Sequence, residues 1–448
     1  MGNKLFGTDG VRGVANEFPM TAEFAFRLAQ ALSQLICTQK KRVAIGKDTR
    51  ISGDMLESAL IAGFTAMGVN VIKMGIVPTP LLTAEVSKLN VDMAVMITAS
   101  HNPYHDNGIK LVNSAGDKFS DDKTFELEKL LTSDTVFMQN KDNIGRVFED
   151  EKSIPAYMEN ARSVAPNSNA LKGLRVVLDC ANGAFSKIMP QIFKDLGAGV
   201  ITLADMPDGC NINKDCGSQH TEKMQQVVTE SHAHLGIAVD GDGDRIIICD
   251  ENGTRIEGDQ IIAFLATYFK QENILKGNAV VATVWSNLGL EKYLHTLGID
   301  YYRSAVGERY VIEKMRQTGA NVGGEESGHM VLSDYAKTGD ALLTGLVISL
   351  GLLKSGKKMS EIFPLFTKCP CKISNLRFKS PEDVEIAFSS RIVQQVIADS
   401  EQKIKGLGSI IVRKSGTEPM IKVRVEAENN QLVEEISAAV VTEIEKYR

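Results

Sequence analysis

KRVAIGKDTRISG, residues 41–53, reads as a short apolar strand, a polar turn and the opening of a helix. The helical pattern runs to Met67-Gly68, and a second strand, VNVIKM, follows at once. Glycine suits that helix end because it takes positive φ without a Cβ clash. LRVVLDCANGAFS (174–186) repeats the layout, its helix closing on Leu196-Gly197 before AGVITL. NAVVATVWSNLGL (278–290) repeats it again, closing on Leu297-Gly298 before IDYYRS. Strand–helix–strand units of this kind make parallel sheets with crossover helices. Three copies predict three related α/β domains with mixed, mostly parallel sheets.

The end of the chain reads differently. CKISNLRF (371–378), SIIVRKSG (409–416) and IKVRVEAEN (421–429) are strands, with helical patterns around 383–404 and 432–447. That is a smaller C-terminal α+β domain with antiparallel pairing. The expected boundaries give domains over 1–160, 161–257, 258–369 and 370–448.

Bulk properties narrow the function classes. The 448 residues are 43% apolar and 24% charged, a globular composition too long for one ordinary core. The formal net charge of −6 argues against a nucleic-acid partner held by bulk attraction. An anionic substrate must instead be met by locally placed Lys, Arg and metal. Seven cysteines are too few for a disulfide scaffold in such a chain, so reduced thiols and a cytoplasmic location are expected. Cys210, Cys216 and His220 have a faintly zinc-like spacing but lack a fourth ligand nearby. The opening MGNKLFGTDG has no apolar signal core, and Phe6 stands where a myristoylation motif needs Ser or Thr. The longest apolar run, ALLTGLVISLGLL (341–353), is too short to span a bilayer and reads as a core helix. No membrane partner is expected.

Chemistry concentrates in a few loops. The apolar run VDMAVMI (91–97) gives way to TASHNP (98–103), where Ser100 and His101 stand side by side. The pair reads as a nucleophile with its base, a phosphorylation site or a polar turn. DGDGD (240–244) ends the strand LGIAV, and its alternating glycines let Asp240, Asp242 and Asp244 converge on one hard cation, with magnesium preferred. A solvated acidic turn is the plainer alternative. An EF-hand is excluded because Arg245 occupies the position that needs glycine and a buried strand, IIIC, follows. In GGEESGH (323–329), Glu325 and Ser327 alternate, so an extended segment would project both to one side to grip sugar hydroxyls. A polar turn fits as well. RKSGTEP (413–419) offers Arg413, Ser415, Gly416 and Thr417 as a phosphate cradle or an ordinary turn. FGTDGVRG (6–13) contributes Arg12, which alone would count for little.

Taken together and in this order, FGTDGVRG, TASHNPYHDNGIK, DGDGDR, GEESGH and RKSGTEP resemble the α-D-phosphohexomutase superfamily over essentially the whole chain. FGTDGVRG and DGCNINKDCGSQH (208–220) are most similar to its amino-sugar branch. The resemblance implies four domains around a central cleft and a cytoplasmic enzyme of UDP-N-acetylglucosamine synthesis. It implies that Ser100 is a phosphoserine and that Mg2+ is held by Asp240, Asp242, Asp244 and Ser100. A phosphoryl group would pass to glucosamine 6-phosphate, through glucosamine 1,6-bisphosphate, to give the 1-phosphate. Lys110 is then the candidate acid or base, with His101 and His329 nearby, and needs a lowered pKa for that role. Adjacent side chains on an extended chain point apart, so Ser100 and His101 are not expected to form a hydrolase pair. Arg245 would help hold the anionic substrate. Arg12, Glu325, Ser327, His329 and the 413–417 loop would bind the sugar phosphate, and the family suggests a homodimer. Two departures bear on sugar preference: Glu326 where the branch reads Gln, and Lys422 where it has Arg. The rival readings are a glucose- or mannose-phosphate mutase, a metal-dependent sugar phosphatase and a non-enzymatic sensor.

Overall fold

The apolar runs form four sheets in a computed structural model, which describes residues 5–7, 9–36, 39–133, 143–415 and 419–448. The chain gathers into two units. One holds Met1–Trp285 with Ile299–Leu365, the other Ser286–Gly298 with Phe366–Arg448.

The first unit carries three sheets. β1 (Val11–Val14), β2 (Arg42–Lys47), β3 (Asn70–Ile76), β4 (Met93–Ile97), β5 (Asp106–Asn113) and β6 (Val147–Glu149) lie in the order β1-β5-β4-β2-β3-β6. β7 (Arg175–Asp179), β8 (Gly199–Leu203), β9 (Leu235–Val239), β10 (Ile246–Asp250) and β11 (Arg255–Ile256) follow the order β11-β10-β9-β7-β8. β12 (Ala279–Thr283), β13 (Asp300–Ser304), β14 (Val322–Gly324) and β15 (Met330–Leu332) follow β13-β12-β14-β15. Inner strands buried on both faces need no polar alternation, which is why β4 and β9 read as continuous apolar runs.

The three sheets share one plan. Parallel strands joined by crossover helices end in an antiparallel hairpin: β4–β5, β9–β10 and β14–β15. The predicted loops around Ser100, the three aspartates and Glu325 are the connections of these hairpins, whereas Arg12 of the FGTDGVRG stretch lies on β1, paired with β5. In the first hairpin, Met96 pairs with Lys110, so strand register fixes where Lys110 sits relative to the Ser100 turn. The crossover helices close as predicted, with Gly68, Gly197 and Gly298 at φ of 78°, 91° and 64°. The apolar run at 341–353 is the buried helix Ala341–Ser355, capped by Asp340, whose carboxylate accepts from the Leu343 amide. Among the described residues no helix is long and apolar enough to cross a membrane.

The second unit is the predicted α+β element. β16 (Cys371–Arg377), β17 (Gly408–Lys414) and β18 (Met420–Ala427) form an antiparallel sheet in the order β16-β18-β17. Ile421, Val423 and Val425 pack with Val433, Ile436 and Val440 of the last helix, Asn430–Glu445. The single helical pattern expected over 383–404 is two helices, Pro381–Ser389 and Arg391–Ile404. Ser390, at φ −58° and ψ 128°, breaks the run. The third crossover helix, Leu288–Thr296, also belongs to this unit: the Leu288 amide donates to Glu426 at 2.9 Å.

Candidate active site

The Ser100 turn is held from below. Ser100 takes a left-handed backbone, φ 55°, and its amide donates to Thr98 Oγ1 at 2.9 Å. The bend corrects the expectation for an extended chain. Ser100 Oγ and His101 Nδ1 lie 3.4 Å apart instead of pointing away from each other. Ser100 Oγ donates to Asp240 Oδ2 at 2.6 Å. Its carbonyl accepts from Arg50 Nη2 and from Asn213 Nδ2, each at 2.9 Å. Arg50 is buried and paired with Asp48 at 2.9 Å, and it also donates to the carbonyls of Asn102, Pro103 and Asp106. Sequence reasoning passed over Arg50 and Asp48. Their one signal was a charged KDTR segment directly after the apolar strand of the first repeat.

The metal loop meets this turn from the second sheet. A side chain on Gly241 would place Cβ 2.8 Å from the Ser100 carbonyl oxygen, so glycine permits the close approach of the two loops. Gly243 serves a second need, a backbone φ of 75°. Asp240, Asp242 and Asp244 are buried, and each offers an oxygen within 4.8 Å of the others. Burial, then repulsion from Asp244 and Asp242, pushes the Asp240 carboxyl well above its usual range. Asp242 Oδ1 and Asp244 Oδ1 are buried without a hydrogen-bond partner. Orphaned, mutually repelling carboxylate oxygens fit a hard divalent cation. Among the described residues this is the one cluster of three or more potential metal ligands, and Cys210, Cys216 and His220 form none.

Around the aspartates runs a closed ring of alternating charge. Asp244 lies 2.9 Å from Lys110, Lys110 3.3 Å from Asp9, and Asp9 2.5 Å from Lys118. Lys118 pairs with Glu308, Glu308 lies 2.7 Å from His329 Nε2, and His329 Nδ1 is 3.7 Å from Asp244. Lys110 also pairs with Asp242 at 2.7 Å, and Thr79 donates to the same Asp242 oxygen. Burial works against the charge on Lys110, but Asp242, Asp244 and Asp9 outweigh it and hold its pKa well above normal. A Lys110 base would need a lowered pKa, and these three carboxylates act in the opposite direction. Burial likewise opposes the charge on His329, yet Glu308 and Asp244 raise its pKa to about 9. His101 goes the other way: burial, then Arg245 and Arg12, lowers it to about 4. Asp9, Lys118, Glu308 and Thr79 were not foreseen from sequence.

The remaining candidates fall around this centre or in the second unit. Arg12 donates to Asp9 at 2.6 Å and to the Ala99 carbonyl at 3.3 Å, bracing the Ser100 turn. Arg245 Nε stands 3.9 Å from Asp244 Oδ1. The GEESGH loop is a turn, with the Gly328 amide donating to the Glu325 carbonyl, so the extended projection of Glu325 and Ser327 is not found. Glu325 Oε1 accepts from the Gly307 amide at 2.9 Å, while Ser327 stays exposed. The Ile246 amide donates to the Gly328 carbonyl at 2.9 Å and ties this turn to the metal loop. In the second unit, Arg413 on β17 faces Lys422 on β18, and the Ser415 amide donates to the Met420 carbonyl. Gly416 and Thr417 lie outside the described residues.

Known proteins match this chain end to end. The models of Phosphoglucomutase/phosphomannomutase, alpha/beta/alpha domains I, II and III, match residues 3–136, 155–253 and 257–369, and that of its C-terminal domain matches 374–443. A phosphoglucosamine mutase of Paramagnetospirillum magneticum is 45% identical over 449 residues, covering 100% of this chain and 99% of that protein. One from Rhizobium rhizogenes is 44% identical with the same coverage. The crystal structure of a phosphoglucomutase/phosphomannomutase family protein from Burkholderia thailandensis superposes with a TM-score of 0.82 at 25% identity, covering 100% of this chain and 98% of that one. An Aspergillus fumigatus N-acetylphosphoglucosamine mutase, in complex with GlcNAc-6P and magnesium, shares the fold at TM-score 0.67 and 16% identity, covering 99% and 96%.

Proposed function

Because the chain belongs to the phosphoglucomutase/phosphomannomutase family, we propose that it interconverts glucosamine 6-phosphate and glucosamine 1-phosphate, the activity named in relatives similar to it over their full length. The observation that carries the reading is Ser100 Oγ, 2.6 Å from Asp240 within a buried, under-satisfied carboxylate cluster. A hydroxyl so placed is suited to carry a phosphoryl group beside a cation.

Ser100 is the phosphoserine of this reading. The Oγ–P bond breaks as a bond forms between phosphorus and the sugar hydroxyl, and the hydroxyl proton ends on Ser100 Oγ. The bisphosphate then turns and returns its other phosphoryl group by the same step in reverse. Mg2+ bound by Asp240, Asp242 and Asp244, with Ser100, would draw charge from the phosphoryl oxygens during transfer. Lys110, held as a cation by three carboxylates, balances their charge. His101, with Nδ1 3.4 Å from Oγ, is the group placed to pass the proton. Arg245 and Arg12 add positive charge beside the turn. Glu325, Ser327 and His329 contact the sugar.

The distal phosphate belongs to Arg413, Ser415, Gly416 and Thr417. Arg413 and Lys422 are register partners across β17 and β18, which supports counting Lys422 among the cations of that site. The same reading keeps domains over 1–160, 161–257, 258–369 and 370–448, a homodimer, a cytoplasmic location and a product destined for UDP-N-acetylglucosamine. Phosphorus NMR with glucosamine 6-phosphate, magnesium and a trace of the 1,6-bisphosphate tests it. A growing 1-phosphate resonance without inorganic phosphate is expected. Release of inorganic phosphate would make the protein a phosphatase, and turnover of glucose or mannose 6-phosphate alone would move the sugar assignment.

A further inference from the structure

We propose that Glu308 is a positioning residue of the active site, fixing His329 and the 325–329 turn against the N-terminal loop through Lys118; its catalytic consequence rests on the transfer reading above. Glu308 opens the helix Glu308–Thr318 and is only 4% exposed. Its Oε1 lies 2.7 Å from His329 Nε2 and accepts from the Gly339 amide at 2.8 Å and from Thr338 Oγ1. Its Oε2 pairs with Lys118, which reaches Asp9, and Asp9 in turn reaches Arg12 and Lys110.

The preceding residue completes the arrangement. The Gly307 amide donates to Glu325 Oε1, so two consecutive residues hold both ends of the Glu325-Glu326-Ser327-Gly328-His329 turn. The partners of Glu308 are His329, Gly339, Thr338 and Lys118. It acts through His329, whose other ring nitrogen faces Asp244, and through Lys118, whose partner Asp9 also pairs with Lys110. A buried carboxylate with partners in four directions has one available geometry, and it passes that geometry on to each partner. Removing its charge opens the ring at two points. Isosteric Glu308→Gln keeps an oxygen for Gly339 and Thr338 while removing the charge that holds His329 and Lys118.

The test uses the full chain with 15N-labelled histidine, in wild type, Glu308→Gln and Lys118→Met, with His329→Asn to assign the resonance. The His329 ring signals are expected to move in both variants while the other histidines stay in place. In parallel, Glu308→Gln should lower kcat about tenfold or more with KM within about threefold, the signature of lost transition-state positioning. Combining it with Lys118→Met should add little further loss, because the ring is already open. Glu308→Asp, which restores the charge on a shorter arm, should recover part of kcat. Unmoved His329 signals, or an unchanged kcat in active protein, overturn the proposal. The NMR arm decides even if the wild type proves inactive on sugar phosphates, an outcome that would count against the transfer reading alone.

Discussion

Arg50 Nη2 donates to the carbonyl of Ser100 at 2.9 Å across 50 residues of chain. The remaining guanidinium N–H groups go to Asp48 and to the carbonyls of Asn102, Pro103 and Asp106, so all five donors are used. Lysine has three donors on a point charge and cannot reproduce the fork. Arg50→Lys should cost about 3 kcal/mol of stability, as expected when a buried paired charge loses its partner geometry. Turnover should fall about a hundredfold. Thermal melts and initial rates read the two effects, and a variant with wild-type rates would show that the turn keeps its shape without Arg50.

Ser100→Ala separates chemistry from binding. Phosphoryl transfer should fall by about a thousandfold or more, while sugar-phosphate affinity changes by less than about fivefold. Calorimetry and the phosphorus NMR assay measure the pair. Retained turnover would exclude a phosphoserine at this position.

Removing metal ligands has a readout that needs no substrate. A cation that binds the native site with free ligand at about a hundred times Kd should add about 2.7 kcal/mol of apparent stability. Mg2+ should therefore raise the melting temperature of the wild type and leave Asp240→Asn and Asp244→Asn unmoved. An equal shift in all three proteins would place the binding elsewhere.

Asp340 predicts a pH dependence remote from turnover. Burial raises its carboxyl to about 6, although it accepts from the Leu343 amide and from Tyr157 OH at 2.7 Å. With the folded pKa above the unfolded one, the native state binds the proton first as pH falls. This group therefore adds stability on acidification from about 7 to 5, and loses it again as pH rises through 6. Asn keeps the cap without the titration. Wild type minus Asp340→Asn should shift by about 1 kcal/mol in favour of the wild type between pH 7.5 and 5. Urea unfolding followed by Trp285, the chain's only tryptophan, measures it, and a constant difference would refute the assignment.

The parts legible in the sequence are those whose causes are local. Met67-Gly68 announces a helix end because glycine's freedom acts within one turn, and the run MAVMI announces a strand covered on both faces. DGDGD concentrates its carboxylates in five consecutive positions, so their convergence needs no knowledge of the fold. Asp9, Arg50, Lys118 and Glu308 read as ordinary charges because, beyond the local pairs Asp9–Arg12 and Arg50–Asp48, their partners lie far away in the chain and meet only after the sheets pack. Ser100 gives no sign of its left-handed backbone, which the surrounding donors impose. The alternation read into Glu325 and Ser327 fails because Gly328, at φ 92°, folds the segment back on itself.

The pairing of Met96 with Lys110 also bears on how this chain can change over generations. Side chains alternate faces along a strand, so one residue gained or lost between Ile97 and Asp106 would slip β5 and turn Lys110 to the opposite side of the sheet. Point substitutions in that connection leave the register intact. Drift in composition and drift in length are thereby uncoupled: outside Ser100 and His101 the turn can exchange side chains without moving the strands, whereas a change in its length calls for a compensating bulge or a second change in the same hairpin.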